Sequence, residues 1–191
     1  HWIEAGAPRG EGEDTLKINA KPAPEWELGT PDLILQVPPF KLPASGVVDY
    51  QRPALTVPVT EKRYIKAITF DVGERKGLHH IVSPLGDYAV GAETTKIPEG
   101  QGIPVTPGQS VSLSVHYTPF GKEATDATRI GLYFYPVNKP PEKVRQSLVI
   151  ANAALEIPPG AARHEEIASA TFKHDATLYS VFPHAHYRAE S

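Results

Sequence analysis

Fifteen glycines and twenty prolines punctuate this chain of 191 residues, and no stretch between them keeps a helical apolar period over ten residues. A proline inside a helix removes a backbone hydrogen bond and clashes with the preceding turn, so breaks at this density leave little room for long helices. The two residue types together stay below the roughly 25–30% at which low-complexity disorder sets in. Apolar residues at 40% and charged residues at 21% belong to a folded chain. Between the breaks lie short β-rich runs at 33–37, 54–59, 64–72, 78–83, 111–118, 129–137, 148–157, 165–172 and 177–187. Short strands at this spacing predict an all-β fold, a sandwich or barrel of antiparallel sheets. Residues 1–30, broken by Gly6, Pro8, Gly10, Gly12, Pro22, Pro24 and Gly29, read as loop and linker.

The formal net charge is −3 and no Lys/Arg run stands out, which argues against a nucleic-acid surface or a polybasic membrane patch. No apolar run approaches the roughly 18 residues of a membrane span. Cysteine is absent, so disulfides, thiolate metal sites and cysteine nucleophiles are ruled out together. Methionine is absent as well. No G-x-S-x-G, Walker loop, G-x-G-x-x-G or H-E-x-x-H occurs. The acidic groups Glu11, Glu13, Asp14, Glu165 and Glu166 read as solvated loop or edge charges.

Histidine is then the best remaining metal ligand. The chain has His1, His79, His80, His116, His164, His174, His184 and His186. In His184-Ala-His186 the two rings share one face of a strand, a usual way to offer two nitrogens to copper or zinc. The same pair also reads as two surface histidines near the turn at Pro183. His79 and His80 are adjacent, so a regular strand sends them to opposite faces, and one ion can take both only at a bulge or a strand end. Without a bulge they read as one buried and one exposed histidine. His116 falls on the strictly alternating run 110–117, where Val111, Leu113, Val115 and Tyr117 face one way and Ser110, Ser112, Ser114 and His116 the other. It is thus predicted on the polar face, and alone it reads as a solvent-exposed strand residue. An N-terminal His1 could chelate copper through its amine and ring, as in copper polysaccharide oxygenases, but nothing else in the chain resembles those enzymes.

Taken in order, His-His, then His-Tyr-Thr-Pro, then Pro-His-x-His resembles the copper type II, ascorbate-dependent monooxygenases, the family of peptidylglycine α-hydroxylating monooxygenase and dopamine β-monooxygenase, and within it the bacterial secreted members. The similar stretches are PASGVVDY at 43–50, LHHIV at 78–82, GDYAVGA at 86–92, HYTPFGK at 116–122, residues 126–134, IPPG at 157–160 and FPHAHYR at 182–188.

The resemblance implies two jelly-roll β-sandwich domains with one copper each. Residues 31–147 would be the first copper-binding domain, and 148–191 the first strands of a second, incomplete sandwich. His79, His80 and His116 would hold the first, electron-transferring copper. His184 and His186 would hold the second, where dioxygen binds and the substrate C–H bond is attacked. The family's third ligand there is a methionine, which this chain lacks, so a segment truncated at both ends is expected to bind copper without hydroxylating. The implied reaction is hydroxylation of an activated C–H bond in a small-molecule or peptide-like substrate, with ascorbate or another donor supplying two electrons. Residues 1–8 resemble the last helix of a c-type haem domain, which makes a neighbouring haem domain a second donor. An extracellular or periplasmic location goes with the resemblance. The competing reading is a non-catalytic copper-binding or structural and assembly β-sandwich module. A third is a redesigned minimal domain without Met or Cys.

Overall fold

The computed structural model describes residues 3–12, 25–152, 154–179 and 181. Among them there are β-strands and turns but no helix, and hence none long and apolar enough to cross a membrane. The chain divides into two units, His1–Gln146 and Ser147–Ser191.

The longest strand of the first unit, β4 (Arg63–Asp71), is rich in the β-branched and aromatic residues that suit a pleated surface. The three strands before it are β1 (Leu33–Gln36), β2 (Phe40–Leu42) and β3 (Ala54–Thr56). After it come β5 (Leu78–Val82), β6 (Tyr88–Ala89), β7 (Thr94–Lys96) and β8 (Gln101–Val105). The remainder are β9 (Ser110–Ser112), β10 (Ser114–Tyr117), β11 (Ala124–Asp126), β12 (Arg129–Phe134) and β13 (Lys143–Val144). They form a six-stranded sheet ordered β1-β12-β4-β8-β13, with β7 also on β4, a three-stranded sheet β10-β5-β6, and the pairs β11-β2 and β3-β9. Every pairing is antiparallel except β13 on β8.

Apolar side chains from all four sheets meet in one buried cluster. Leu35, Ile68, Phe70 and Leu132 enter it from the large sheet, Leu78, Ile81 and Val115 from the three-stranded one, and Leu42, Leu55 and Val111 from the two pairs. Multiple sheets around a single core agree with the predicted all-β class and with a β-sandwich. The run 110–117 alternates as its sequence predicts, with Val111, Leu113, Val115 and Tyr117 buried and Ser110 and Ser112 exposed.

The large sheet is covered on its other face too. At Gly131 an added Cβ would lie 2.6 Å from both Trp26 and Pro31, so the absence of a side chain there is what lets the segment before β1 lie flat on the strand. Tyr133 donates its hydroxyl to the Gly29 carbonyl at 2.7 Å, and the Phe134 N–H donates to Asp32 at 2.7 Å. Arg129 bonds Glu25 and Asp71 and lies over the Trp26 ring. Residues 25–30, read from sequence as the end of a linker, are therefore packed onto the sheet. An isolated tryptophan among turn residues carries no period, and Gly131 and Arg129 of β12 lie beside its ring.

The described residues of the second unit contain no strand, and all of them are exposed. The runs expected at 148–157 and 165–172 are irregular, and most of 177–187 lies outside the described residues. Val149, Ile167 and Phe172 have strand propensity but sit in water. A strand also needs a ladder for its N–H and C=O groups, and the described residues of this unit supply none.

One buried polar group ties the loops around the three-stranded sheet. Asp126 is 1% exposed. It accepts hydrogen bonds from the Glu74 N–H at 2.9 Å, the Thr128 hydroxyl at 2.8 Å and the Tyr117 hydroxyl at 2.8 Å. Burial first, and then the Asp126 charge, push the Tyr117 phenol above its ordinary range, so it stays a donor. Truncation to alanine strands these donors in the interior, where each costs about 1–3 kcal/mol. Asp126→Ala is expected to lower the unfolding free energy by about 3 kcal/mol in a urea titration, and Asp126→Asn, which keeps the acceptor oxygen, by less.

Candidate metal centre

Strands β5 and β10 pair with Ser114 opposite Val82, Val115 opposite Ile81 and His116 opposite His80; the next partners are Tyr117 and Leu78. One step along β10 thus spans two along β5, and the extra residue is His79. This is a β-bulge, which puts two residues of one strand against one of its partner and re-aims the side chain it adds. The burial pattern shows the same thing. Leu78 and Ile81 are both buried although three positions apart, which a regular strand does not allow.

The bulge brings three imidazoles together. Ring centroids are 5.1 Å apart for His79–His80, 5.2 Å for His79–His116 and 5.1 Å for His80–His116. His79 Nδ1 and His80 Nδ1 are 3.0 Å apart, and one ring nitrogen from each of the three lies within 4.8 Å of the others. His79 is exposed while His80 and His116 are half-buried. His116 Nδ1 is buried with no hydrogen-bond partner, and a buried ring nitrogen in that state calls for an account. Burial first, and then His79 nearby, hold the His116 pKa below its ordinary value, so the ring stays neutral and keeps a lone pair to give.

These distances can be tested against a bound ion. Metal–nitrogen bonds of about 2.0–2.1 Å at angles of about 90–110° place two nitrogens roughly 2.9–3.4 Å apart. The His79–His80 separation already falls in that range, and a pair at the 4.8 Å limit must close by about 1.4 Å, within reach of side-chain rotation. Three neutral imidazoles form a donor set suited to copper or zinc. Among the described residues no other three metal-capable side chains come together.

Surrounding groups hold the strands in place. Tyr117, bonded to Asp126, follows His116 directly, and Glu74, bonded to the same carboxylate, lies in the turn before β5. A Cβ on Gly77 would come within 2.3 Å of Leu42 and 3.3 Å of Phe120, so only glycine lets the chain enter β5 this close to the core. Tyr50 stacks on His116 with centroids 4.7 Å apart and planes 12° from parallel, and its hydroxyl is 3.5 Å from His80 Nε2. Sequence reasoning gave Tyr50 no role. Its only signal was membership of the stretch 43–50.

The structure therefore joins the adjacent pair His79 and His80 to His116, which lies far from them in the sequence. His184 and His186, and also His1, lie outside the described residues. His174 is exposed. His164 lies in the second unit with Nε2 2.7 Å from Glu166 Oε1. The other oxygen of Glu166 accepts from Asn152 at 2.6 Å. These two hydrogen bonds hold the Glu166 carboxyl below its usual range. Glu166 is exposed, as read from sequence, and is also bonded locally, with a β-turn at 158–161 between it and Asn152.

No family model matches the chain, and neither a curated protein nor a solved structure matches it. The chemistry of the site accordingly rests on its own geometry. His116→Ala removes one of the three imidazoles and is expected to weaken Cu(II) binding about a hundredfold or more. The half-exposed ring adds little to the core, so the metal-free protein should melt as before. Isothermal titration calorimetry beside a thermal melt reads both quantities.

Proposed function

We propose that this chain is the copper-binding module of a copper-dependent monooxygenase, a protein that hydroxylates an activated C–H bond with dioxygen and an external electron donor. The observation that carries the reading is the bulge at His79, which turns a His-His dipeptide and a distant His-Tyr strand into one three-imidazole cluster with an unpartnered buried nitrogen. β-Bulges recur next to functional sites, where they re-aim a side chain. The motifs at 78–82, 116–122 and 182–188, similar in order to those of the copper type II, ascorbate-dependent family, support the same reading.

In this proposal His79, His80 and His116 hold the electron-transfer copper. When bound, copper supplies one-electron redox chemistry, and an all-nitrogen site accommodates both of its oxidation states. The residues themselves bind and orient. Neutral His116 offers a lone pair from the interior side, His80 faces it across the ladder, and exposed His79 leaves one side of the cluster open to a donor. Ascorbate, or a neighbouring c-type haem domain, is the proposed donor. His184 and His186 enter the proposal from their motif alone, as two ligands of the dioxygen-binding copper, and the jelly-roll topology and an extracellular or periplasmic location go with the family. The reading from a different class is a non-catalytic metal-stapled module. It draws on the placement of the ligands on two paired strands, where an ion cross-links β5 to β10.

Metal analysis with copper EPR before and after ascorbate separates these readings. One copper per described cluster, with a nitrogen-ligand signal that ascorbate bleaches, is the expected result. Copper or zinc that raises the melting temperature but is indifferent to ascorbate would favour the stapled module. No uptake after loading would end the metal reading.

A further inference from the structure

The geometry points to Tyr50 as a positioning residue of the metal centre: its ring fixes the plane of the His116 imidazole, and its π face favours the more highly charged state of a bound copper. This rests on the proposal that the cluster holds copper, and goes beyond it by assigning control of the site to a residue that donates no ligand atom.

The first support is placement. Gln51 pairs with Val115 through two backbone hydrogen bonds, Gln51 N–H to Val115 C=O at 3.0 Å and Val115 N–H to Gln51 C=O at 2.9 Å. One residue on in that antiparallel register, Tyr50 lies across from His116, on the edge of β10 opposite to β5. His116 is thus flanked in its row by His80 on one side and Tyr50 on the other. The backbone bridge holds the tyrosine at this position whether or not a ligand is present.

The second is the ring geometry. A separation of 4.7 Å with planes 12° from parallel is a stacked pair. Against His80 the same ring is tilted, with centroids 5.8 Å apart, so the face is given to His116 alone. Stacking blocks tilting of the His116 imidazole about its terminal torsion, which is otherwise broad. Metal affinity falls when the partner that orients a ligand is removed.

The third is exposure. Tyr50 is 44% exposed, so its ring contributes little to the core, and the surface that it does cover is that of a proposed ligand. The face of an aromatic ring carries negative charge and attracts cations. Against an imidazole bound to copper this stabilises Cu(II) more than Cu(I). The hydroxyl is 3.5 Å from His80 Nε2, long for a hydrogen bond, so the ring face is assigned the main effect.

The test compares wild type, Tyr50→Leu and Tyr50→Phe, using Cu(II) and Cu(I) each alone in chelator competition, with melts of the metal-free proteins. Leucine fills the space without a π face, and phenylalanine restores the face without the hydroxyl. Tyr50→Leu is expected to lose about tenfold in Cu(II) affinity. Its loss for Cu(I) is expected to be smaller, so that the ratio of the two affinities falls about threefold. Tyr50→Phe should stay within about twofold of wild type for both ions. Unchanged affinities in Tyr50→Leu overturn the inference. So does an equal loss for both ions with a lowered melting temperature, which is a packing effect, and so does a failure of phenylalanine to rescue, which moves the effect to the hydroxyl. A wild-type protein that takes up neither ion overturns the copper reading and this inference together. Wild-type binding with indifferent variants overturns this inference alone.

Discussion

Neighbouring side chains on a β-strand point to opposite faces, so consecutive histidines serve one ion only where the ladder gives up its regular count. Between β5 and β10 it does so at His79. Without that extra residue His79 would lie on the face of Leu78's buried neighbours or in solvent, and the cluster would be reduced to the cross-strand pair His80–His116. The three-imidazole geometry follows from strands held in this broken register, and the stacking of Tyr50 on His116 from the Gln51–Val115 bridge on the other edge of β10.

The register is held from behind the sheet. Asp126, at the end of β11, accepts from Tyr117 immediately after the bulge and from the backbone of Glu74 before β5. One buried carboxylate thus ties β10 to the turn that leads into β5. Gly77 adds a steric condition, since a side chain there would collide with Leu42 and push the entry to β5 outward. A buried network satisfied on all sides specifies one arrangement, because any slip leaves a polar group unpaired in the core. Close packing around the bulge and the hydrogen bonds to Asp126 act on the same few residues.

Much of this was legible in the sequence, for identifiable reasons. Alternation over 110–117 placed His116 on the outer face, because a period of two survives in any half-buried strand. The bulge was named as the condition for His79 and His80 to act together, but whether it forms depends on β10, thirty-odd residues away. The same limit explains why the contacts of residues 25–30, irregular as expected, were not visible in the sequence. Trp26 is bound by a surface that β12 creates, and no local pattern announces it. In the second unit the failure runs the other way. Apolar β-branched runs at 148–157 and 165–172 have local preference for strand, and the described residues of that unit offer no ladder to realise it.

The sequence by itself determined the all-β class, through the density of Gly and Pro, and the chemistry available, through the absence of cysteine and the presence of histidine. Those are properties of residue type and short-range period, which do not depend on what lies nearby in space. Only the tertiary structure decided which histidines meet, which of their nitrogens is buried without a partner, and that Tyr50 lies flat on His116. Each of these is a contact between segments distant in sequence. They are set by strand register and by the packing of the core beneath, and neither is encoded in any single segment.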